Sequence, residues 1–347
     1  MVAGHCGKGG VNILFDWFTP YAFHLGIFAF GSGYFYKPKE TNCQFLYAKR
    51  KITRLLIPFF LCNVFYGIVV LLLRPLGVEI GESLSFYTLF IAPLQHGHQF
   101  MYNLGTWFVI PLFIILIANN LLHKLLSFTE KRTIILFFVY LLLGIISVQL
   151  AKAGFNRGWF LLLTKTMFLL PMFGLGLIYR RFSIFDSIKT PVFLLLLMVA
   201  QYIIILKFGG IIENNIAWME GFRTPSIYPF IVEFIGIFFW LRVSSSLTPI
   251  LKDVKIVNLI GSHTFEIMTH HLFAMMLIKA IFAFVGIYFS LGFDYYKFTH
   301  EIFYYYCPKG VFQAHFFYAL FGILLPIVYV NAKEKLILFS HEFRNRT

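Results

Sequence analysis

A chain of 347 residues that is 59% hydrophobic, 20% aromatic and only 13% charged excludes a soluble domain and points to a polytopic, all-α membrane protein. The formal charge of +14 belongs to loops at a membrane surface, not to a nucleic-acid interface, because the basic residues gather between apolar runs. Four cysteines with neither metal spacing nor a paired framework exclude a disulfide scaffold.

In chain order, the first residues, MVAGHCGKGGVN, are neither a signal peptide nor a complete span, and read as the end of a helix that begins before Met1. On that expectation the chain is N-terminally truncated, with His5 close to the outer end of the lost helix. The first complete span opens near Pro20, a residue tolerated in a first helical turn, and runs to Tyr36 without a formal charge. Ala22, Gly26, Ala29 and Gly33 recur on one face as a small-residue stripe that lets a neighbour approach, and His24 lies on roughly the opposite side. Further spans are expected over 55–73, 104–122, 133–151, 159–179, 191–207, 226–241, 264–288 and 311–331, nine in all. Nineteen Lys/Arg fall in one set of alternating loops against eight in the other, which puts the first set and the C-terminus in the cytosol. No repeat or appended soluble domain is visible, so residues 1–347 read as one membrane domain.

The polar residues inside apolar sequence are the candidates for chemistry. His24 and Ser32 serve either a site or hydrogen bonds between helices. In the run from Gly261, Thr264, Met268 and His271 share one face at i, i+4 and i+7, while Glu266 and His270 pair on roughly the other. Glu266 and Glu233 are the carboxylates within spans, and an intramembrane ionisable group is costly enough to suggest function; a structural pair with Lys165 or a histidine is the alternative. Lys49, Arg50, Lys51 and Arg54 form a dense cationic rim that is either an anion site or the ordinary positive-inside signal. Trp107 is either an interfacial anchor or a site wall, and the aromatic loops FNRGWF and DYYKFTHEIFYYYC, from Phe155 and Asp294, form either an interfacial belt or platforms for sugar faces. Adjacent His270 and His271 diverge on a helix and no nucleophile-elbow pattern surrounds a serine, so neither a metal centre nor a serine hydrolase triad is assigned.

Five segments in order, VAGHC, FHLGIFAFGSGYFYK, KRKITRLLIP, TWF and IGSHTFEIMTHHLF, resemble the type-3 acyltransferase family of membrane proteins that O-acylate glycans, and most of all its fucose 4-O-acetylase-like branch. The resemblance implies a helical enzyme of ten spans that moves an acetyl group from cytosolic acetyl-CoA to a hydroxyl of a surface polysaccharide or lipid-linked glycan in the bacterial cytoplasmic membrane. It implies that His5 is the histidine ending the family's first helix, whose basic partner eleven positions upstream would precede Met1. It matches Lys51 and Arg54 to the family's Arg-x-x-Arg, with a lysine for the first arginine, and it matches His271 and Trp107 to family positions. Acyl transfer needs a base for the hydroxyl proton, for which His5, His24 and His271 are candidates with Glu266 beside them, or a histidine that is itself acylated. The basic cluster then takes the phosphates of acetyl-CoA, and Ser32, Trp107 and Thr264 line the cavity. A multi-span transporter or glycan translocation factor without acyl chemistry is the competing class.

Overall fold

The computed structural model describes residues 2–6, 16–19, 22–37, 43–126, 129–182, 187–290, 292–307 and 314–344. Among these, eight helical segments are long and apolar enough to cross a membrane: Gln44–Leu76, Leu104–Leu126, Lys131–Lys152, Gly158–Phe182, Thr190–Phe208, Tyr228–Leu251, Thr264–Tyr288 and His315–Lys333. They contain helices α2 (Gln44–Lys51), α3 (Ile57–Leu73), α5 (Val109–Leu126), α6 (Glu130–Lys152), α7 (Gly158–Phe182), α8 (Thr190–Phe208), α9 (Tyr228–Leu251), α11 (Thr264–Tyr288) and α13 (Ala314–Arg344). Short helices α4 (Ala92–Gln95), α10 (Lys255–Ser262) and α12 (Tyr295–His300) lie in the connections. No strand forms among the described residues; one isolated bridge pairs Asn215 with Glu220. The chain is thus an all-α, multi-pass membrane bundle.

The ninth expected span differs. Pro20 and Tyr21 lie outside the described residues, and the helix that follows, α1, covers only His24–Tyr34. Phe23 before it has a non-helical backbone (φ −147°, ψ −4°), which sets the start. At about 1.5 Å per residue, 11 residues reach roughly half of a hydrocarbon core about 30 Å thick. α1 tolerates this because it is shielded by protein: Leu25, Gly26, Ala29, Phe30 and Gly33 are all buried.

Its small-residue stripe is what allows that position. A Cβ on Gly33 would collide with the carbonyl oxygen of Phe173, and one on Gly176 with that of Phe30, so α1 and α7 meet backbone to backbone. Glu233 of α9 fills the space beside Gly26. α7 is also paired with α6, where Gly144 accommodates the ring of Pro171, which lies inside α7. In α5 and α7, 72% of the most apolar stretch is buried, against 17% in α8 and 22% in the last span, so the former are central and the latter face lipid.

The loops collect at two ends. At the basic end, Tyr36 Oη donates to Asn120 Oδ1 (2.9 Å), Gln44 and Asn120 exchange amide bonds, and Arg181 reaches Thr133 (3.0 Å). At the opposite end, the Glu79 amide donates to the carbonyl of Thr299 (2.8 Å), and Asn156 reaches the carbonyl of Met219 (3.4 Å). Non-helical chain of that end folds inward: Lys279 Nζ of α11 holds the carbonyl of Ile302 at 2.5 Å and lies over the Tyr305 ring, drawing the segment after α12 into the bundle. Irregular backbone at such depth requires surrounding protein to satisfy it.

Candidate active site

Three of the histidines singled out in the sequence converge. His5 ends a 3-10 turn, Val2–His5, packed between α11 and α13. His24 opens α1, and His271 lies two turns into α11. All three are buried. His5 Nδ1 is 2.7 Å from His271 Nε2, their rings nearly parallel at 7°, and His24 meets His5 edge-on at 6.3 Å between centroids.

The bonds around His271 fix the tautomers. Its Nδ1 faces the carbonyls of Ile267 (3.0 Å) and Met268 (2.9 Å), which only accept, so the neutral ring carries its proton on Nδ1. The Nε2 lone pair therefore accepts from His5 Nδ1–H, and the basic lone pair of the couple falls on His5 Nε2. Burial, with His271 and His24 nearby, holds the His5 pKa well below the ordinary imidazole value. His5 is thus a neutral imidazole whose Nδ1 proton a second imidazole accepts, while Phe303 packs at 5.7 Å.

The void beside His5 and His24 measures about 20 Å³, room for about one water-sized group, and Trp107, Asn214, Asn215 and Trp218 share its wall. Trp107, 4% exposed, lies under the Lys165 ammonium (4.6 Å to the ring). Lys165 donates to the carbonyl of His96 (2.9 Å) and to His98 Nε2 (3.3 Å). His98 packs against Trp218, their rings tilted by 32° with centroids 4.1 Å apart. Burial first, and Lys165 second, keep His98 neutral by lowering its pKa. On the far side of Trp218 a second, polar chamber of about 430 Å³ opens at the less basic end, lined by Glu82, His96, His98, Gln99, Arg157 and Glu220 among others.

The other candidates are placed elsewhere. Thr264 is exposed at the start of α11 with its hydroxyl bonded to the carbonyl of Gly261 (2.8 Å). Glu266 is half-buried one turn below His270, on the face of α11 turned away from His271; His270 bonds Tyr66 Oη (2.7 Å) and its ring meets that of Tyr329. Glu233 and Lys165 do not pair, for Lys165 is taken up by His96 and His98, and neither Glu233 oxygen has a hydrogen-bond partner. Ser32 Oγ returns its proton to the carbonyl of Phe28 (2.9 Å), the local use open to a serine inside a helix. Lys49, Arg50 and Arg54 are exposed at the basic end where α2 passes through a π turn (Ile52–Leu56) into α3, and Lys51 lies over the Tyr47 ring at 5.4 Å. Trp159 is exposed on the outside of α7. Among the described residues no three His, Cys, Asp or Glu side chains are grouped to hold a metal ion.

A buried imidazole couple, one member of which lines a hydroxyl-sized void, has side chains of the type that proton removal in acyl transfer needs. The model of one family, described as an acyltransferase domain, matches residues 1–293. The chain belongs to the acyltransferase 3 family. No curated protein and no solved structure matches it. The matched region of this membrane acyltransferase contains His5, His24, Trp107, the Asn214–Trp218 segment and His271, whereas Phe303 and α13 follow it. Asn214, Asn215, Trp218, His98 and Lys165 at this centre were not singled out by sequence for the roles they occupy. The only sequence signal for the first three is an Asn-Asn pair shortly before a tryptophan in a loop, ENNIAW.

Proposed function

We propose that the protein is an O-acetyltransferase of the bacterial cytoplasmic membrane, with a cytosolic C-terminus, that transfers an acetyl group from acetyl-CoA to a sugar hydroxyl of a surface polysaccharide or lipid-linked glycan. The observation that carries this reading is the His5–His271 couple, whose His5 lines a small void with His24. The tryptophans and polar chamber on one side suit a carbohydrate, and the exposed Lys49, Arg50 and Arg54 on the other suit the phosphates of the donor. In the reaction, His5 Nε2 takes the acceptor's hydroxyl proton while the hydroxyl oxygen bonds to the thioester carbonyl carbon. The C–S bond then breaks, and the imidazolium returns the proton to the departing thiolate, so no net proton is released.

The test compares surface glycans of cells with and without the gene by mass spectrometry and proton NMR, scoring acetyl groups removed by mild base. Loss of an acetyl on deletion and its return with the gene support the reading, and the acetylated sugar identifies the acceptor. Unchanged acetylation with reduced glycan export would overturn it in favour of a translocation role.

A further inference from the structure

We infer that the segment between α8 and α9 reads the acceptor: the side-chain oxygens of Asn214 and Asn215 accept a hydrogen bond from a hydroxyl neighbouring the one acylated, and so select a polyol. This rests on the acyltransferase reading of the site and adds to it the residues that set specificity.

The segment is held firmly. Asn215 and Glu220 exchange backbone hydrogen bonds of 3.0 and 3.1 Å, closing a turn whose Met219 is fully buried at φ +51°. Trp218 within the turn packs against the ring of His98, which Lys165 of α7 holds in turn. The turn thus presents its side chains from a fixed frame.

Asn214 is 9% exposed, and its Oδ1 and that of Asn215 are buried without a hydrogen-bond partner, although both residues line the void at His5 and His24. Buried amide oxygens left unpaired are uncommon in folded proteins, and an unpaired acceptor calls for a donor. A hydroxyl supplies one; an ester, ether or phosphate oxygen does not. The void takes about one water-sized group, and among the described residues no carboxylate, lysine or arginine lines it, the charged lining, Glu82, Arg157 and Glu220, belonging to the outer chamber. Trp218 also lines the outer chamber of about 430 Å³, where its face offers an apolar wall to a sugar ring whose hydroxyl enters the void.

The experiment uses membranes containing the full chain, radiolabelled acetyl-CoA, and the methyl glycosides of glucose, galactose, mannose and fucose, followed by monodeoxy analogues of the best acceptor. A site built to bond a hydroxyl rejects the analogue lacking it, so wild type should lose about 100-fold or more in kcat/KM for one deoxy analogue. Asn214→Leu or Asn215→Leu should shrink that ratio to below about tenfold with KM for acetyl-CoA unchanged, and the corresponding aspartate variant, which keeps the accepting oxygen, should retain it. If a leucine variant fails to reach the membrane, the alanine variant replaces it. An undiminished ratio in both variants overturns the inference and leaves the amide oxygens to bound water. Acetyl-CoA turnover in wild type without transfer to any glycoside also overturns it, whereas no acetyl-CoA turnover at all removes the acetyltransferase reading on which it stands.

Discussion

His5 Nδ1 and His271 Nε2 lie 2.7 Å apart although 266 residues separate them in the chain, and the Ile267 and Met268 carbonyls at His271 Nδ1 make His5 the donor. Removing the base and removing its partner therefore have different costs. His5→Ala should abolish transfer, while His271→Ala should lower it by about 10²-fold, the lower end of what general-base catalysis contributes. His271→Asn, whose amide oxygen can accept from His5, should recover part of the loss. Acetyl transfer per unit of membrane-inserted protein measures all three.

Because burial lowers the His5 pKa, the neutral imidazole persists below the usual histidine range. As pH falls below about 6.5, the unfolded chain binds the proton that the folded one refuses, so the contribution of His5 to stability is complete above that value and declines beneath it. The acidic limb of the kcat/KM profile should accordingly lie below pH 6.5, and a pH–rate series with matched thermal melts checks both.

Arg54, exposed beyond the turn into α3, touches none of the histidines. Arg54→Ala should raise KM for acetyl-CoA several-fold, up to about tenfold, with kcat little changed, since a solvent-exposed phosphate contact is screened. Unchanged donor dependence would remove the basic cluster from donor binding.

Gly33→Ala and Gly176→Ala place a methyl group against a carbonyl of the opposing helix. Overpacking of this kind costs about 1–3 kcal/mol, and each variant should lower the melting temperature in detergent. Gly31→Ala on the same helix, where an added methyl meets nothing within 4 Å, should not.

Much of the bundle was legible because lipid-facing helices must be apolar along their whole length, whatever they pack against. α1 was misjudged in extent for the same reason: an uncharged run reads as a full span, but when other helices exclude lipid from it the run is free to bend at Phe23. The spacing 264–268–271 put Thr264 with His271, and both do share a helix, yet Thr264 lies at its exposed end and His271 at the centre. Periodicity gives the face of a helix and not the depth at which a side chain meets another element. Lys165 and Glu233 looked like complementary charges; Lys165 instead bonds His96 and His98 of a loop, and Glu233 packs beside Gly26 with its oxygens unpartnered, placements that no helical pattern gives.

The half-length of α1 has a further consequence. Its first residue, His24, lies about 16 Å of helix from the basic end and beside inward-folded loop of the other, so a passage to the imidazoles from either end would be shorter than the full insulating layer. A donor and an acceptor confined to opposite compartments would each travel only half the thickness of the membrane to meet.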